Sequence, residues 1–120
     1  MGNGRSMKFT KGANINMTGL RGYVRTTFRE LSEVFGKPDY GPNNYHLDKT
    51  TCEWHLKFED GNVACIYDYK EQCTPYHEHE WHVGGHDDIV VTYIQALINL
   101  HRDPLVRMVR EFQPDARVSG

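Results

Sequence analysis

The densest run of chemistry-bearing residues is Tyr76-His77-Glu78-His79-Glu80-Trp81-His82, with His86 just beyond it. On a strand, residues two apart share a side, so His77 and His79 could chelate one zinc, nickel or copper ion. A third ligand would come from His86, His46 or a carboxylate, while His82 points to the opposite face. The ordinary reading of the same spacing is a histidine pair at a strand edge, and it is preferred: no metal is expected, with His77, His79 and His86 the candidates if one binds. A second grouping, His55, Asp68, Glu80 and His82, would meet across strands on one sheet face. Histidine with carboxylate is the material of general acid–base catalysis, and equally of a polar sheet face. No nucleophile motif or phosphate loop accompanies either group. Gly84-Gly85 before Asp87 resembles a glycine turn into a helix N-terminus, but the aspartates there oppose an anion. A binding protein without a catalytic site or cofactor is therefore expected.

Charge supplies a third candidate. Residues 1–29 hold six cations and no acid, whereas residues 30–100 hold four lysines and thirteen acids, a net of −9. The whole chain of 120 residues carries −2. Arg5, Lys8, Lys11, Arg21 and Arg25, with Arg102, Arg107 and Arg110 near the C-terminus, would contact nucleic-acid phosphates. Such binding is salt-dependent and carries little sequence information. The arm has few aromatic residues, so duplex DNA backbone is the preferred target over single strands.

The elements that must position these groups are legible from periodicity and turn chemistry. Residues 1–14 are polar and glycine-rich, and read as a flexible basic arm. Gly19 to Val24 reads as a short strand. Thr27 with Glu30 three residues on forms a capping box. Phe28, Leu31, Val34 and Phe35 then make one helical face, ended by Gly36 and Pro38. Cys52, Trp54, Leu56 and Phe58 alternate with Glu53, His55 and Lys57. Asp60-Gly61 suits a two-residue hairpin turn, which would pair Phe58 with Val63, Leu56 with Cys65 and Trp54 with Tyr67. Glu78 to Val83 reads as a further strand, with Trp81 and Val83 inward, ended by Gly84-Gly85. Asp87 or Asp88 caps a helix with the apolar stripe Ile89, Val90, Tyr93, Ile94, Leu97 and Ile98. Asp103-Pro104 opens a last helix, striped by Leu105, Met108, Val109 and Phe112 and ended by Pro114.

The sum is an α+β fold: a small antiparallel sheet of three to four strands with two to three packed helices. Its divisions are the arm 1–14, the α+β domain 15–101, and a C-terminal helix and tail 102–120. Three cysteines without a CxxC pair fit free thiols, Cys52 and Cys65 as small core residues and Cys73 in a loop. A Cys–His nucleophile lacks a local signature. No membrane-spanning run and no apolar leader after Met1 are present, so an intracellular protein, not secreted, is expected. The half-apolar open sheet face and the last helix predict a homodimer.

Gly22-Tyr23-Val24, Phe35-Gly36-Lys37-Pro38, Glu53-Trp54, Phe58-Glu59-Asp60-Gly61, Ile66-Tyr67-Asp68-Tyr69-Lys70 and Trp81-His82-Val83-Gly84-Gly85 lie within Gly19 to Leu100, about two-thirds of the chain. In these the sequence resembles a family of small uncharacterised proteins of bacteriophages and large DNA viruses. The resemblance implies a viral accessory protein acting inside the host cell, in cytoplasm or nucleus, on nucleic acid or a host protein. It implies no activity or site residue. The basic arm, His77 with His79, and the helix from Pro104 depart from that pattern. The combined expectation is a dimeric, non-enzymatic, DNA-backbone-binding viral protein. The alternatives are a metal-dependent enzyme or metal-binding protein on the histidine cluster, or an effector that captures a host factor through the acidic body.

Overall fold

The computed structural model describes residues 8–41, 50–69, 71 and 73–112, the last three without their side chains. It shows the expected α+β class: β1 Phe9–Lys11, β2 Gly19–Thr26, α1 Phe28–Phe35, β3 Glu53–Phe58, β4 Val63–Tyr67, β5 His79–Gly85, α2 Ile89–Arg102 and α3 Pro104–Phe112. The five strands form one antiparallel sheet in the order β1-β3-β4-β5-β2. The strand beyond the expected number is β1, inside the stretch expected to be a flexible arm. Phe9 explains it: its ring packs 5.3 Å from Phe35 and 6.3 Å from Phe58. Lys11 is fixed too, 3.8 Å from Asp39 and donating to the carbonyl of Lys37. Arg5 and the rest of residues 1–7 lie outside the described residues.

The hairpin register differs from expectation by one residue. Trp54 pairs with Ile66, His55 with Cys65, Leu56 with Ala64 and Glu53 with Tyr67. The loop has three residues, Glu59 to Gly61: Gly61 N–H donates to Phe58 O at 2.9 Å, and Phe58 N–H to Asn62 O at 2.8 Å. Gly61 alone takes a positive φ, +92°. This is a type I turn followed by a left-handed glycine, the usual three-residue hairpin. Asp60 fits the turn because its carboxylate accepts the Asn62 N–H at 2.9 Å. A one-residue slip inverts a strand's faces, so Ala64 and Ile66 enter the core while Cys65 and Tyr67 turn to the open face. Burying isoleucine in place of a tyrosine hydroxyl favours the observed register.

One sheet face is covered by α1 and α2. Its core includes Trp54, Leu56, Phe58, Ile66, Trp81 and Val83 from the strands, and Leu31, Phe35, Val90, Ile94 and Ile98 from the helices. The two indoles meet edge-to-face at 5.6 Å. Both indole N–H groups are satisfied, by Gly36 O at 2.8 Å and Thr26 O at 3.1 Å. Gly84 and Gly85 do not end β5 early but are its last residues. A Cβ on Gly85 would lie 2.8 Å from Val90 Cγ2, so a bare backbone there lets α2 approach closely. At the start of α2, Asp87 rather than Asp88 supplies the cap, accepting the Ile89 N–H at 2.9 Å. Ile89, expected in the stripe, is 37% exposed.

Thr27 caps α1, its hydroxyl accepting the Glu30 N–H at 3.0 Å. Only this half of the expected capping box forms, because the Glu30 side chain is engaged elsewhere. Its carboxylate accepts from Thr26 Oγ1 at 2.6 Å and from Arg102 NH2 at 2.7 Å, and His101 Nδ1 lies 3.3 Å away. Burial alone would raise this carboxyl, but the hydrogen bonds from Arg102 and Thr26 hold it at about 2, against an ordinary 4.5. A depressed folded-state pKa contributes stability that is present above the unfolded value and lost as pH falls toward the folded one. Acid titration of thermal stability between about pH 5 and 2 is therefore expected to be steeper for the wild type than for Glu30→Gln. Parallel curves would show that the network does not hold α2 to α1.

Candidate ligand-binding face

The face of the sheet that no described helix covers carries two ordered cross-strand rows. Leu20, Gly84, Cys65 and His55 follow one another across β2, β5, β4 and β3. Tyr23, His82, Tyr67 and Glu53 form the next row, and Tyr40 bridges to Glu53 at its end. The His82 ring is the hub, with centroids of Tyr23, Tyr67 and Tyr69 at 4.9, 5.3 and 5.4 Å. Its Nδ1 is buried without a hydrogen-bond partner. Burial, with His79 nearby, lowers the His82 pKa and favours the neutral ring. Tyr23 is 46% exposed, so the row offers a stacking surface to solvent.

Beside Gly84 lies a cleft of about 290 Å³ lined by Cys65, Leu20, Tyr67, Tyr69 and Glu53; a Cβ on Gly84 would meet Cys65 Sγ at 2.8 Å, so the glycine makes room for that sulfur. The turn at Ile15–Thr18 closes one end, held by the Thr18 hydroxyl on Ile15 O at 2.8 Å. Glu53 is the charged wall. One carboxylate oxygen accepts from His55 Nε2 at 2.8 Å and the other from Thr50 Oγ1 at 2.7 Å. The bond from His55, against the opposing effect of burial, keeps this carboxyl below its ordinary range. Tyr40 stacks on His55 at 5.1 Å and helps to bury it.

Cys65 floors the cleft, yet burial pushes its thiol up to about 11. Cys52 is pushed to about 12, by burial first and then by Asp68. Neither thiol supplies a thiolate near neutral pH. Cys73 is exposed. His55, Asp68, Glu80 and His82 do not assemble. The corrected register puts Asp68 in step with Ala64 and Ile66, and it is fully buried, bonded to Thr51 and Cys52.

The histidine run is divided by the strand it adjoins. His77 precedes β5 and is exposed, so it does not share a strand face with His79. His79 sits 5.5 Å from Trp81 and 3.9 Å from Glu71. His86 follows the far end of β5, about 24 Å away at a strand's rise per residue. Among the described residues no three ligating side chains converge on a metal position. His46 lies outside them.

The candidate cations are likewise dispersed. Lys8 and Lys11 lie by β1 and Arg21 and Arg25 on β2, at opposite edges of the sheet, about 19 Å apart by strand spacing. Four of them have acidic partners: Lys11 with Asp39, Arg21 with Asp88 at 3.4 Å, Arg25 with Glu78 at 3.4 Å and Arg102 with Glu30. Lys8 and Arg107 have none among the described residues, and the side chain of Arg110 is not described. Among the described residues no helix is long and apolar enough to cross a membrane.

No family model, curated protein or solved structure matches this chain.

Glu53, Tyr67, Tyr69, Tyr23 and Gly84, the residues that build the face, were not among the candidates read from the sequence. A three-residue hairpin loop would have exposed Glu53 and Tyr67 together, since their pairing follows from it directly.

Proposed function

We propose that the protein is a non-enzymatic binding protein that holds a basic segment of a partner protein on the open face of its sheet. The observation that carries this reading is the row Tyr23–His82–Tyr67–Glu53 beside the cleft. Tyrosine is the residue type that anchors protein interfaces, and Glu53 at the end of the row has no lysine or arginine partner among the described residues. On the resemblance to viral proteins, the partner is a host factor met inside the cell. The duplex-DNA reading rests on Lys8, Arg107 and the arm and competes with the first. Calorimetry with a short arginine- and lysine-rich peptide and with a random duplex compares the two. The peptide is expected to bind, and Tyr23→Ala with Tyr69→Ala to weaken it at least about tenfold. Duplex binding with an inert peptide would reverse the assignment.

The homodimer belongs to the same proposal and is supported by α3. Leu105, Met108 and Val109 are 62, 50 and 54% exposed, and a second copy of α3 would bury them. Sedimentation equilibrium is expected to show a dimer that Met108→Glu converts to monomer without loss of melting temperature. A monomeric wild type refutes it.

A further inference from the structure

Glu53 is unusual among the carboxylates that line the open face. Its side chain is only 20% exposed, and its sole ion-pair neighbour among the described residues is His55. No lysine or arginine of the described chain reaches it. Each carboxylate oxygen has two acceptor positions, and His55 and Thr50 use one on each oxygen. One position per oxygen remains, which is the pattern a guanidinium fork meets with two parallel N–H bonds. Beside this carboxylate stand the rings of Tyr67 and Tyr69, and Leu20, Cys65 and Gly84 complete the lining.

We propose that the cleft over Gly84 is an arginine pocket, taking the side chain of one arginine of a basic partner with Glu53 as counter-ion and Tyr67 and Tyr69 as stacking walls. This rests on the open face being the binding surface. Planar guanidinium stacks on aromatic faces and is weakly hydrated, so entering a partly apolar cleft costs it less than it costs an ammonium. The aliphatic stem lies along Leu20, as long cationic side chains do on apolar surface. The volume of about 290 Å³ sits at the lower bound for ligand pockets, the scale of one side chain rather than of an extended ligand. Charge complementarity disfavours the opposite ligand: a phosphate or carboxylate would meet Glu53 at like charge.

The test is a heteronuclear NMR titration of the full chain with N-acetyl-arginine amide, N-acetyl-lysine amide and N-acetyl-citrulline amide. Citrulline keeps the shape of arginine without its charge. Arginine is expected to shift Tyr67, Tyr69 and Gly84 resonances, with lysine weaker and citrulline without effect. Glu53→Gln should reduce arginine affinity at least about tenfold, and Tyr69→Ser, at an exposed position, should weaken it with the fold intact. Equal responses to arginine and citrulline, or shifts confined to other residues, overturn the pocket. If the basic peptide binds the face but ignores Glu53→Gln and an arginine-to-lysine exchange, the pocket falls and the binding-face reading stands. If no basic peptide binds, both fall.

Discussion

Replacing Asp68 by alanine is expected to destabilise the protein by about 3–5 kcal/mol, the loss on breaking a buried, hydrogen-bonded carboxylate. Asp68 is fully buried, and its partners are neutral donors. Thr51 N–H reaches it at 2.8 Å, Thr51 Oγ1 at 2.7 Å and Cys52 N–H at 3.2 Å. Thr51 Oγ1 in turn lies 2.6 Å from Thr74 Oγ1. This one side chain thus joins the approach to β3, the exit from β4 and the segment before β5. Alanine leaves the two backbone N–H groups of Thr51 and Cys52 without this acceptor, at about 1–3 kcal/mol for each group that water cannot reach, while the Thr51 hydroxyl can still turn to Thr74 Oγ1. Asp68→Asn keeps one acceptor oxygen, and the Thr51 hydroxyl can turn to accept from its amide, so about 1–2 kcal/mol is expected. Chemical denaturation of the three proteins decides it. Equal losses for both variants would mean that the negative charge, not the acceptor, holds the three segments.

Trp54→Ala is the second large effect, about 3–5 kcal/mol for an aromatic-to-alanine change in a core. The indole is fully buried, packs on Trp81 and Phe28, and donates to Gly36 O. At this chain length the loss is expected to lower the melting temperature by roughly 10–20 °C. His55→Ala, the next residue on the same strand, faces the other way. It removes one hydrogen bond to Glu53 and ring contact with Tyr40, and about 1 kcal/mol is expected. A melting series in which His55→Ala costs more than Trp54→Ala would invert the sheet faces.

What the sequence made legible were features carried by several residues at once. Thr27, Glu30 and Gly36 bound α1, and Asp103-Pro104 opens α3, because each terminus has its own hydrogen-bonding demand. Trp54, Leu56 and Phe58 announce an inward face by alternation. β1 was not legible, since its signal is one residue, Phe9, in a polar stretch, and its partners are brought close only by folding. The register failed at a real degeneracy. Asp60-Gly61 fits two-residue and three-residue loops alike, and one residue of difference exchanges Ile66 for Tyr67. The make-up of the open face depended on that choice: Glu53 stands outward in either register, but Tyr67 joins it only in the observed one. The charge segregation along the chain was read correctly but does not persist in space. Arg25 reaches Glu78, Arg21 reaches Asp88 and Arg102 reaches Glu30 across 53, 67 and 72 residues.

The strand order has a consequence for the growing chain on the ribosome. Among the described residues β2 has its only strand neighbour in β5, with Thr26 opposite His79 and Gly19 opposite Gly85. At ordinary translation speeds the interval between synthesis of the two is roughly 3–13 s. Throughout it, Gly19–Thr26 has emerged with neither ladder to pair with nor sheet to lie on. The β3–β4 hairpin, closed by a three-residue loop, can form within microseconds of its own release. The edge strand made early can therefore pair only after β5 is made, and Arg102 of α2, made later still, bonds the carbonyl of its Arg25 at 3.0 Å.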